Sequence, residues 1–486
     1  MPEGPTILWF RNDLRLTDNR ALYAAVEAGG AVLAVYVLDD GAMGPWRMGG
    51  ASRWWLHHSI AALGTALEKA GCPLVIRRGD AVEEIAALAA ETGARRVHCS
   101  RCYEPWAQQQ ERALHARLAD SGVSLKRFPG ALLKEPEDLR TKAGEPFKVY
   151  TPFWRALLAD GAPNAPVPAP TRIRSMSRRP SGLRLESLDL LPSKPDWSGG
   201  LAQTWRPGEA AALARLDAFL MEGLAGYASN RDRPDLSGTS RLSPHMHFGE
   251  LSPAIIWHGA RAAFAGSRAN EDDLDAFLRE IGWREFSYHL LFHWPTLPAD
   301  PFRPEFAAFP WTENVAHLAA WQRGLTGFPI VDAGMRELWQ TGWMHNRVRM
   351  IAASFLVKDL LIPWQQGERW FWDTLVDADL ASNAASWQWV AGSGADAAPY
   401  FRIFNPTTQG AKFDPDGAYI RRFVPELASL PADFIHEPAA APDGALRMAG
   451  VVLGTTYPLP IVDHGKARVG ALAAYEAVKA RAAESR

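Results

Sequence analysis

Residues 6–38 read TILWFRNDLRLTDNRALYAAVEAGGAVLAVYVL and decide the fold of the first part of the chain. Apolar residues fill positions 6–10 and 31–38, and a stretch with helical spacing at 19–28 lies between them. Two short apolar runs joined through a helix are typical of a βαβ unit. This unit predicts parallel strands covered by helices.

The same alternation continues to about residue 130. Further strands are predicted at 74–77, 96–99 and 124–128, and further helices at 51–70, 81–92 and 106–121. We therefore expect residues 1–130 to form an α/β domain built on a doubly wound parallel sheet. The turn after the first strand, residues 11–15, lacks the G-x-G-x-x-G pattern, so dinucleotide binding is not expected there.

The character of the sequence changes after this domain. Seven prolines between residues 161 and 200, with several arginines, indicate a surface connector, which we place at 131–205. From residue 206 the spacing is helical and no strand alternation is found. Helices are predicted at 209–224, 252–264, 271–291, 314–323, 331–341, 346–361 and 367–375. Residues 206–486 should form a large, nearly all-α domain.

Composition limits the class of protein. The 486 residues carry a net charge of −2, which argues against a uniformly basic nucleic-acid binder but leaves room for a local basic patch. No apolar run approaches the ~20 residues of a membrane span, and the N-terminus lacks a signal-peptide pattern. We expect a cytoplasmic protein without membrane association. The pair Cys99 and Cys102 supplies at most half a zinc site, so no metal is expected.

Tryptophans are concentrated in one stretch. Of the 20 in the chain, eleven lie between Trp283 and Trp389, interleaved with charged and amide side chains. Indoles bury a large area but need a partner for the N–H group, so this mixture indicates a polarised aromatic pocket. For most of these residues ordinary core packing is the expected role.

Two clusters of polar residues have spacings that suit a planar ligand. Asn346, Arg349 and Met350 fall within about one helical turn. Asp377 and Asp379, followed by Asn383, resemble a calcium loop only in part, because no glycine makes the sharp turn and no glutamate closes it. The edge of a flavin, with adjacent N–H and C=O groups, suits these side chains better than a metal.

The turn at residues 238–244, GTSRLSP, is rich in hydroxyl groups and precedes a predicted helix. Hydroxyls, backbone N–H groups and a helix N-terminus together favour an anion such as a diphosphate. Ordinary helix capping by Ser and Thr explains the same residues equally well. His245 and His247 follow, but their spacing and the lack of a third ligand argue against a metal.

Five longer stretches resemble the DNA photolyase and cryptochrome family over nearly the whole chain. They are TILWFRNDLRLTDNRAL (6–22), GTSRLSPHMHFGELSP (238–253), FLREIGWREFSYHLL (277–291), GFPIVDAGMRELWQTGWMHNRVRMIAASFLVKDLL (327–361) and WQWVAGSGADAAPYFRIFNPTTQG (387–410). Such ordered matches are far more specific than any single spacing described above.

The resemblance implies FAD, bound in a folded conformation within the helical domain. The positions matching the family's FAD residues are Tyr227, Thr239, Ser240, Arg241, Leu242, Ser243, Trp283, Arg284, Asn346, Arg349, Asp377, Asp379 and Asn383. Among them, the turn at 239–243 would hold the phosphates, and Asn383 would lie opposite N5 of the flavin ring. Trp387, Trp364 and Trp311 match the chain of indoles that carries an electron from the surface to the flavin.

The resemblance also implies a DNA substrate containing pyrimidine dimers. A dimer needs one extra electron to weaken its ring bonds, and it must be flipped out of the duplex to be reached. Glu280 matches the carboxyl that hydrogen-bonds the dimer, with Met350 packed beside it, and Trp283 and Trp389 are the expected stacking surfaces. The positions matching phosphate contacts at the pocket mouth are Arg231, Arg347 and Arg402.

Repair of cyclobutane pyrimidine dimers is the function we expect, carried out by a monomer. Photolyases for (6-4) products carry a second histidine where this chain has Asn346, and plant-type and insect-type cryptochromes carry Asp or Cys at the Asn383 position. Both classes remain alternatives. An antenna chromophore, a folate, deazaflavin or flavin, is a further expectation. Trp46 to Trp55 frame a planar ligand or simply begin a helix, and both interpretations stay open.

Overall fold

The computed structural model describes residues 4–396 and 401–484, with the side chain of residue 484 left out. The chain divides into two compact units. The first comprises the chain up to Gly226 together with Ser240–Pro295 and Val376–Asp379. The second comprises Tyr227–Thr239, Thr296–Leu375 and the chain from Leu380 onward. Residues 397–400, within the last family motif, lie outside the described residues. The boundaries 1–130, 131–205 and 206–486 stay a prediction.

A five-stranded parallel sheet forms the centre of the first unit, in the order β3-β2-β1-β4-β5. The strands are β1 (Thr6–Phe10), β2 (Val32–Leu38), β3 (Val75–Arg78), β4 (Arg96–Ser100) and β5 (Ser124–Phe128). Leu8 of β1 lies opposite Ala34 of β2 and His98 of β4. Every residue of β1 and β2 is buried, as expected of strands covered on both faces. The predicted doubly wound sheet is confirmed, and each strand begins and ends within one residue of its predicted position.

Helices pack around this sheet and extend the first unit. They are Arg20–Glu27, Gly50–Lys69, Ala81–Thr92, Pro105–Ala119, Tyr150–Ala159, Gly199–Thr204, Glu209–Glu222, Ser243–His247, Pro253–Phe264 and Glu271–His293. Local sequence explains their starts. Asp80 accepts hydrogen bonds from the N–H groups of Val82 and Glu83, and Asn270 and Asp273 form a capping box before Glu271–His293.

The turn after β1 is locked by contacts within the first unit. Leu14 donates its N–H to the carbonyl of Phe248, and the buried Arg15 donates to the carbonyls of Gly249 and Gly130. Gly249 has φ +64°, and a Cβ there would lie 2.0 Å from the carbonyl oxygen of Asn12. The backbone of Leu14 and the side chain of Arg15 therefore anchor this turn to distant segments of the first unit.

The second unit is helical in the part of the chain that the structure describes, which confirms the predicted helical C-terminal part. Its helices are Tyr227–Asn230, Val315–Arg323, Pro329–Thr341, Asn346–Ser354, Trp364–Thr374, Leu380–Ala391, Pro406–Phe413, Ala418–Phe423, Asp443–Ala449 and His464–Glu484. The helix predicted at 346–361 ends at Ser354 and continues as a π-helical turn, Phe355–Asp359. Among the described residues, no helix is both long and apolar enough to cross a membrane.

Candidate functional site

The residues predicted to form the site are shared between the two units. Those in the first unit are Ser240, Arg241, Leu242, Ser243, Glu280, Trp283, Arg284, Asp377 and Asp379. Those in the second are Tyr227, Arg231, Thr239, Trp311, Asn346, Arg347, Arg349, Met350, Trp364, Asn383, Trp387, Trp389 and Arg402. Within each unit, the structure shows which of them meet.

The hydroxyl-rich turn meets one of the predicted carboxylates. Ser243 begins the short helix Ser243–His247, and its hydroxyl donates to Asp377 at 2.5 Å. The residue before this helix, Leu242, supplies no side-chain cap, and Arg241 has φ +53°. Simple capping therefore does not explain the serine. Its hydroxyl joins the predicted diphosphate turn to a carboxylate predicted at the flavin ring.

Asp379 is almost fully buried and accepts two side-chain hydrogen bonds. The phenol of Tyr288 donates at 2.5 Å, and Nδ1 of His247 lies 3.4 Å away. Burial by itself raises the pKa of this carboxyl, but the hydrogen bond and charge of His247, the charge of Arg284 and the Tyr288 bond together lower it well below its usual range. Asp379 is therefore held as a carboxylate, ready to accept an N–H group.

Sequence reasoning missed Tyr288 and interpreted His247 only as a metal candidate. Arg284 lies four residues before Tyr288 on the same helix, and its guanidinium is 4.6 Å from the centre of the Tyr288 ring. Arg284 also donates to the carbonyl of Ala131 at 2.8 Å. The signal in the sequence was this spacing of four, which puts a cation and a phenol on one helical face.

Trp283 and Glu280 lie on the long helix Glu271–His293, three residues apart and therefore on the same side. The indole of Trp283 is 36% exposed, and one of its faces is covered by Tyr150 with ring centres 3.7 Å apart. Glu280 is partly exposed. A carboxyl and an indole on one accessible helical face fit the predicted contact with a damaged base.

In the second unit, the helix Asn346–Ser354 carries four predicted residues. Arg349 donates its Nε–H to the carbonyl of Met344 at 2.7 Å, which orients the guanidinium. Arg347 forms an ion pair with Asp232 at 2.6 Å, and its guanidinium lies 4.5 Å from the ring centre of Phe413. Asn346 and Met350 are four residues apart, so the helix places them on one face as predicted.

The helix Leu380–Ala391 buries Asn383 and Trp387. Asn383 donates its side-chain amide to the backbone carbonyl of Glu368 at 3.1 Å. The carboxyl of Glu368 is itself fully buried, and neither of its oxygens has a hydrogen-bond partner among the residues that the structure describes. Burial raises the pKa of Glu368 well above its usual range, although the charge of Arg369 acts in the opposite direction. Sequence reasoning did not identify it.

The three tryptophans of the predicted electron chain differ in exposure. Trp387 and Trp364 are each 2% exposed, whereas Trp311 is only partly buried and packs against Phe309 at 4.3 Å between ring centres. Gly367, three residues after Trp364, lies against the Trp387 indole. Of the three, only Trp311 is partly exposed, so it is the one that would form the surface end of the predicted chain.

Two of the predicted DNA contacts line one pocket of the second unit. Trp389 and Arg402 line it together with Arg303, Lys358 and Phe401. Trp389 donates its indole N–H to the carbonyl of Asp396 at 3.1 Å. Lys358 lies 3.1 Å from the ring centre of Phe401. Lys358 is itself buried, and burial lowers its pKa well below the usual range, so among these residues Trp389 and Arg402 are the ones that suit a stacked base and a phosphate.

Comparison with known proteins identifies the family of this chain. Models of two families match: "DNA photolyase" at residues 6–171, and "FAD binding domain of DNA photolyase" at residues 277–477. The deoxyribodipyrimidine photo-lyase of Agrobacterium fabrum is 55% identical over 476 residues, covering 98% of both chains. The chain belongs to the DNA photolyase family.

Other similar proteins include both photolyases and cryptochromes. The crystal structure of a bacterial class III photolyase from Agrobacterium tumefaciens matches with a TM-score of 0.95 and 54% identity, covering 99% of this chain and 98% of that one. Cryptochrome-1 of Arabidopsis thaliana is 40% identical over 96% of this chain and 70% of its own length. The family resemblance drawn from the motifs is thereby confirmed.

The donor groups of this photolyase fit FAD. Each unit contributes polar side chains that are more than nine-tenths buried, among them Asp377, Asp379 and Asn383. Carboxylates can accept a hydrogen bond from the N–H group of a flavin ring, and an amide can hydrogen-bond to the ring's carbonyl and nitrogen atoms. The hydroxyl groups and Arg241 suit a diphosphate. FAD is the cofactor of this chain, and these residues are its predicted contacts.

The region considered for an antenna chromophore is less distinctive. The helix Gly50–Lys69 buries Trp54 and Trp55, and the Trp55 indole donates to Glu250 at 3.0 Å. Trp46 is only partly buried. Two of these indoles therefore pack in the core of the first unit, as an ordinary helix start would have them. A chromophore remains an expectation without an assigned site.

Proposed function

We propose that the chain repairs cyclobutane pyrimidine dimers in DNA in a light-driven reaction with FAD. The similarity to a deoxyribodipyrimidine photo-lyase along nearly the whole length carries this proposal. FAD supplies, when bound and reduced, an electron that light makes available to the dimer. The protein's own residues bind and orient FAD and the DNA, and they exclude water from the site.

Holding the cofactor is the proposed role of buried polar residues in each unit. Asp379 accepts an N–H group as a carboxylate, because His247, Arg284 and Tyr288 keep it ionised. Asp377 and Ser243 join the ring end to the phosphate end through their 2.5 Å hydrogen bond. The remaining proposed cofactor contacts are Tyr227, Thr239, Ser240, Arg241, Leu242, Trp283, Arg284, Asn346, Arg349 and Asn383.

Binding the lesion is the proposed role of two indoles and three further residues. Flipping a dimer out of the duplex costs roughly a few kcal/mol, less for a damaged base, and aromatic stacking recovers about 1–3 kcal/mol per base. Trp283 and Trp389 provide the stacking surfaces. Glu280 hydrogen-bonds the dimer, and Asn346 and Met350 contact it from their shared helical face.

Arginines of the second unit are proposed to contact the DNA backbone, namely Arg231, Arg347 and Arg402. Their charges provide affinity without sequence preference, as guanidinium groups on phosphates do. Trp387, Trp364 and Trp311 conduct the electron that restores the reduced cofactor. The three free cysteines suit a cytoplasmic protein, which we propose acts as a monomer, a state that light scattering after gel filtration measures.

An illuminated repair assay tests the function directly. Purified holoenzyme is given one duplex with a cyclobutane dimer and a matched duplex with a (6-4) product, each in blue light and in darkness. We expect restoration of the dimer substrate in light only. Repair of the (6-4) duplex alone would establish the other photolyase activity, whereas no repair of either by the chemically reduced enzyme would favour a photoreceptor.

A further inference from the structure

Trp283 is the outer ring of a stack of three. Tyr150, the first residue of the helix Tyr150–Ala159, lies parallel to it at 8° with ring centres 3.7 Å apart. Trp154 lies beyond Tyr150, at 6.4 Å and 11°. Ring contacts therefore link the accessible indole of Trp283, through Tyr150 and Trp154, to Trp257, which is 1% exposed and whose ring centre lies 6.1 Å from that of Trp154.

Tyr150 is attached to the helix that carries Trp283. Its hydroxyl donates to the carbonyl of Arg279 at 2.9 Å, one turn before Trp283. Gly282 makes room for this arrangement, because a Cβ there would lie 2.5 Å from the Trp154 ring and 2.8 Å from the Tyr150 hydroxyl. Both the ring and the hydroxyl of Tyr150 are thus fixed relative to the same helix turn.

We propose that Tyr150 is a positioning residue that holds the Trp283 indole in place for stacking on the flipped lesion. The inference rests on the proposed role of Trp283 as a wall of the lesion pocket. Tyr150 covers one face of the indole, so the other face is the one presented to a base. Trp154 and Trp257 connect Tyr150 to the core and prevent it from moving aside.

Holding an indole before binding lowers the cost of binding. A side chain that must be immobilised loses roughly 0.5–1.5 kcal/mol of rotamer entropy, which corresponds to about two- to tenfold in affinity. Stacking acts on the flipped base, whereas phosphate contacts act on any duplex. Loss of Tyr150 should therefore weaken binding to damaged DNA and leave binding to undamaged DNA unchanged.

The test measures dark binding of the holoenzyme to a dimer-containing duplex and to the same duplex undamaged. We expect Tyr150→Leu to reduce the ratio of the two affinities about three- to tenfold, and Tyr150→Phe, which keeps the ring, to stay within about twofold of the wild type. Tyr23→Leu is the matched control, since Tyr23 is 40% exposed on the separate helix Arg20–Glu27 and should change nothing.

A double-mutant cycle with Trp283→Leu shows whether Tyr150 acts through the indole. In that background Tyr150→Leu should cause no further loss. An equal loss in both backgrounds, or full discrimination by a folded Tyr150→Leu protein, would overturn the inference. Tyr150→Met, judged by the same ratio, replaces the leucine variant if that protein does not retain FAD. A wild-type protein that fails to distinguish the two duplexes would instead contradict the proposed function.

Discussion

The phenol of Tyr288 donates a 2.5 Å hydrogen bond to the buried carboxylate of Asp379. Tyr288→Phe removes this donor and leaves His247 and Arg284 in place. A hydrogen bond to a charged group is worth about 1.5–3 kcal/mol, so we expect the free energy of unfolding at pH 7 to fall by about that amount. Urea unfolding followed by circular dichroism measures the change.

The same substitution should weaken retention of FAD, because Asp379 loses one of the groups that orient it. FAD remaining after dialysis is the measure, and Tyr23→Phe, at an exposed position, is the control. A variant as stable as the wild type and with full FAD content would show that Tyr288 contributes nothing to the carboxylate.

His289 should make the stability of the protein depend on pH. It is 1% exposed, and its Nε2 accepts the N–H of Phe147 at 3.0 Å. Burial, with the nearby charges of His293 and Arg140, lowers its pKa to about 3, against about 6.5 in an unfolded chain. The unfolded chain therefore takes up a proton below pH 6.5 that the folded protein does not, and stability is lost as the pH falls.

His289→Gln keeps an acceptor for Phe147 and removes the titration. Between pH 7 and pH 5 we expect the wild type to lose about 2 kcal/mol more of its unfolding free energy than this variant. Urea unfolding at the two pH values gives the difference, with His115→Gln, at an exposed position, measured alongside. Parallel curves for the wild type and the glutamine variant would refute the assignment.

Most of the fold follows from patterns that the sequence shows openly. Each strand of the sheet was predicted within one residue. For β1 and β2 the reason is that the buried run is short and bounded by polar turns. The helix Leu380–Ala391 was missed for the opposite reason. Several sides of this helix are buried, and its buried residues include Leu380, Asn383, Trp387 and Gln388. Its sequence therefore has no continuous polar face from which a helical period could be recognised.

The predicted connector, residues 131–205, contains ordered contacts that were not predicted from its composition. Within it, Ser175 forms a parallel bridge to Val32, and Leu183 donates its N–H to the carbonyl of Ile76. Prolines and arginines indicate a surface course but give no register, which depends on the strands already in place. The helix Tyr150–Ala159 was likewise absent from the prediction, although it supports Trp283.

The site residues came from the family resemblance, and their partners came from the structure. Ser243 and Asp377 are 134 positions apart, and no local pattern links them. The role of Tyr288 could have been predicted from the sequence, since its spacing from Arg284 is helical. The buried carboxyl of Glu368 could not have been predicted, because an isolated glutamate in a sequence is far more often exposed than buried.

Arg347 is paired with Asp232 at 2.6 Å, so a DNA phosphate must compete with that carboxylate. If Arg347 contacts one phosphate, Arg347→Gln should weaken binding to damaged and undamaged duplexes alike and reduce the slope of log affinity against log salt by about 0.9. Asp232→Asn should strengthen both, because it removes the competitor. Fluorescence anisotropy over a range of salt concentrations measures these slopes. An unchanged slope in the glutamine variant would place Arg347 away from the DNA.

Trp387 packs edge-on against Phe371 at 5.0 Å and against Trp321 at 6.1 Å. Trp387→Phe preserves an aromatic ring but not an easily oxidised one, so photoreduction of oxidised FAD should slow markedly. Repair by chemically reduced enzyme should remain, since it does not need the indole chain. Trp197→Phe, at an indole 39% exposed, is the control. Photoreduction at the wild-type rate would remove Trp387 from the electron path.

Substitution of Gly367 gives a second test of the role of Trp387, because Gly367 lies against the Trp387 indole. A Cβ at residue 367 would lie 2.1 Å from Cη2 of Trp387, closer than atoms can approach, so Gly367→Ala must displace the ring or the helix Trp364–Thr374. Overpacking of this kind costs about 1–3 kcal/mol. We expect a lower urea midpoint together with slower photoreduction. Lower stability with unchanged photoreduction would show that electron transfer tolerates displacement of the ring, and would confine the role of Gly367 to packing.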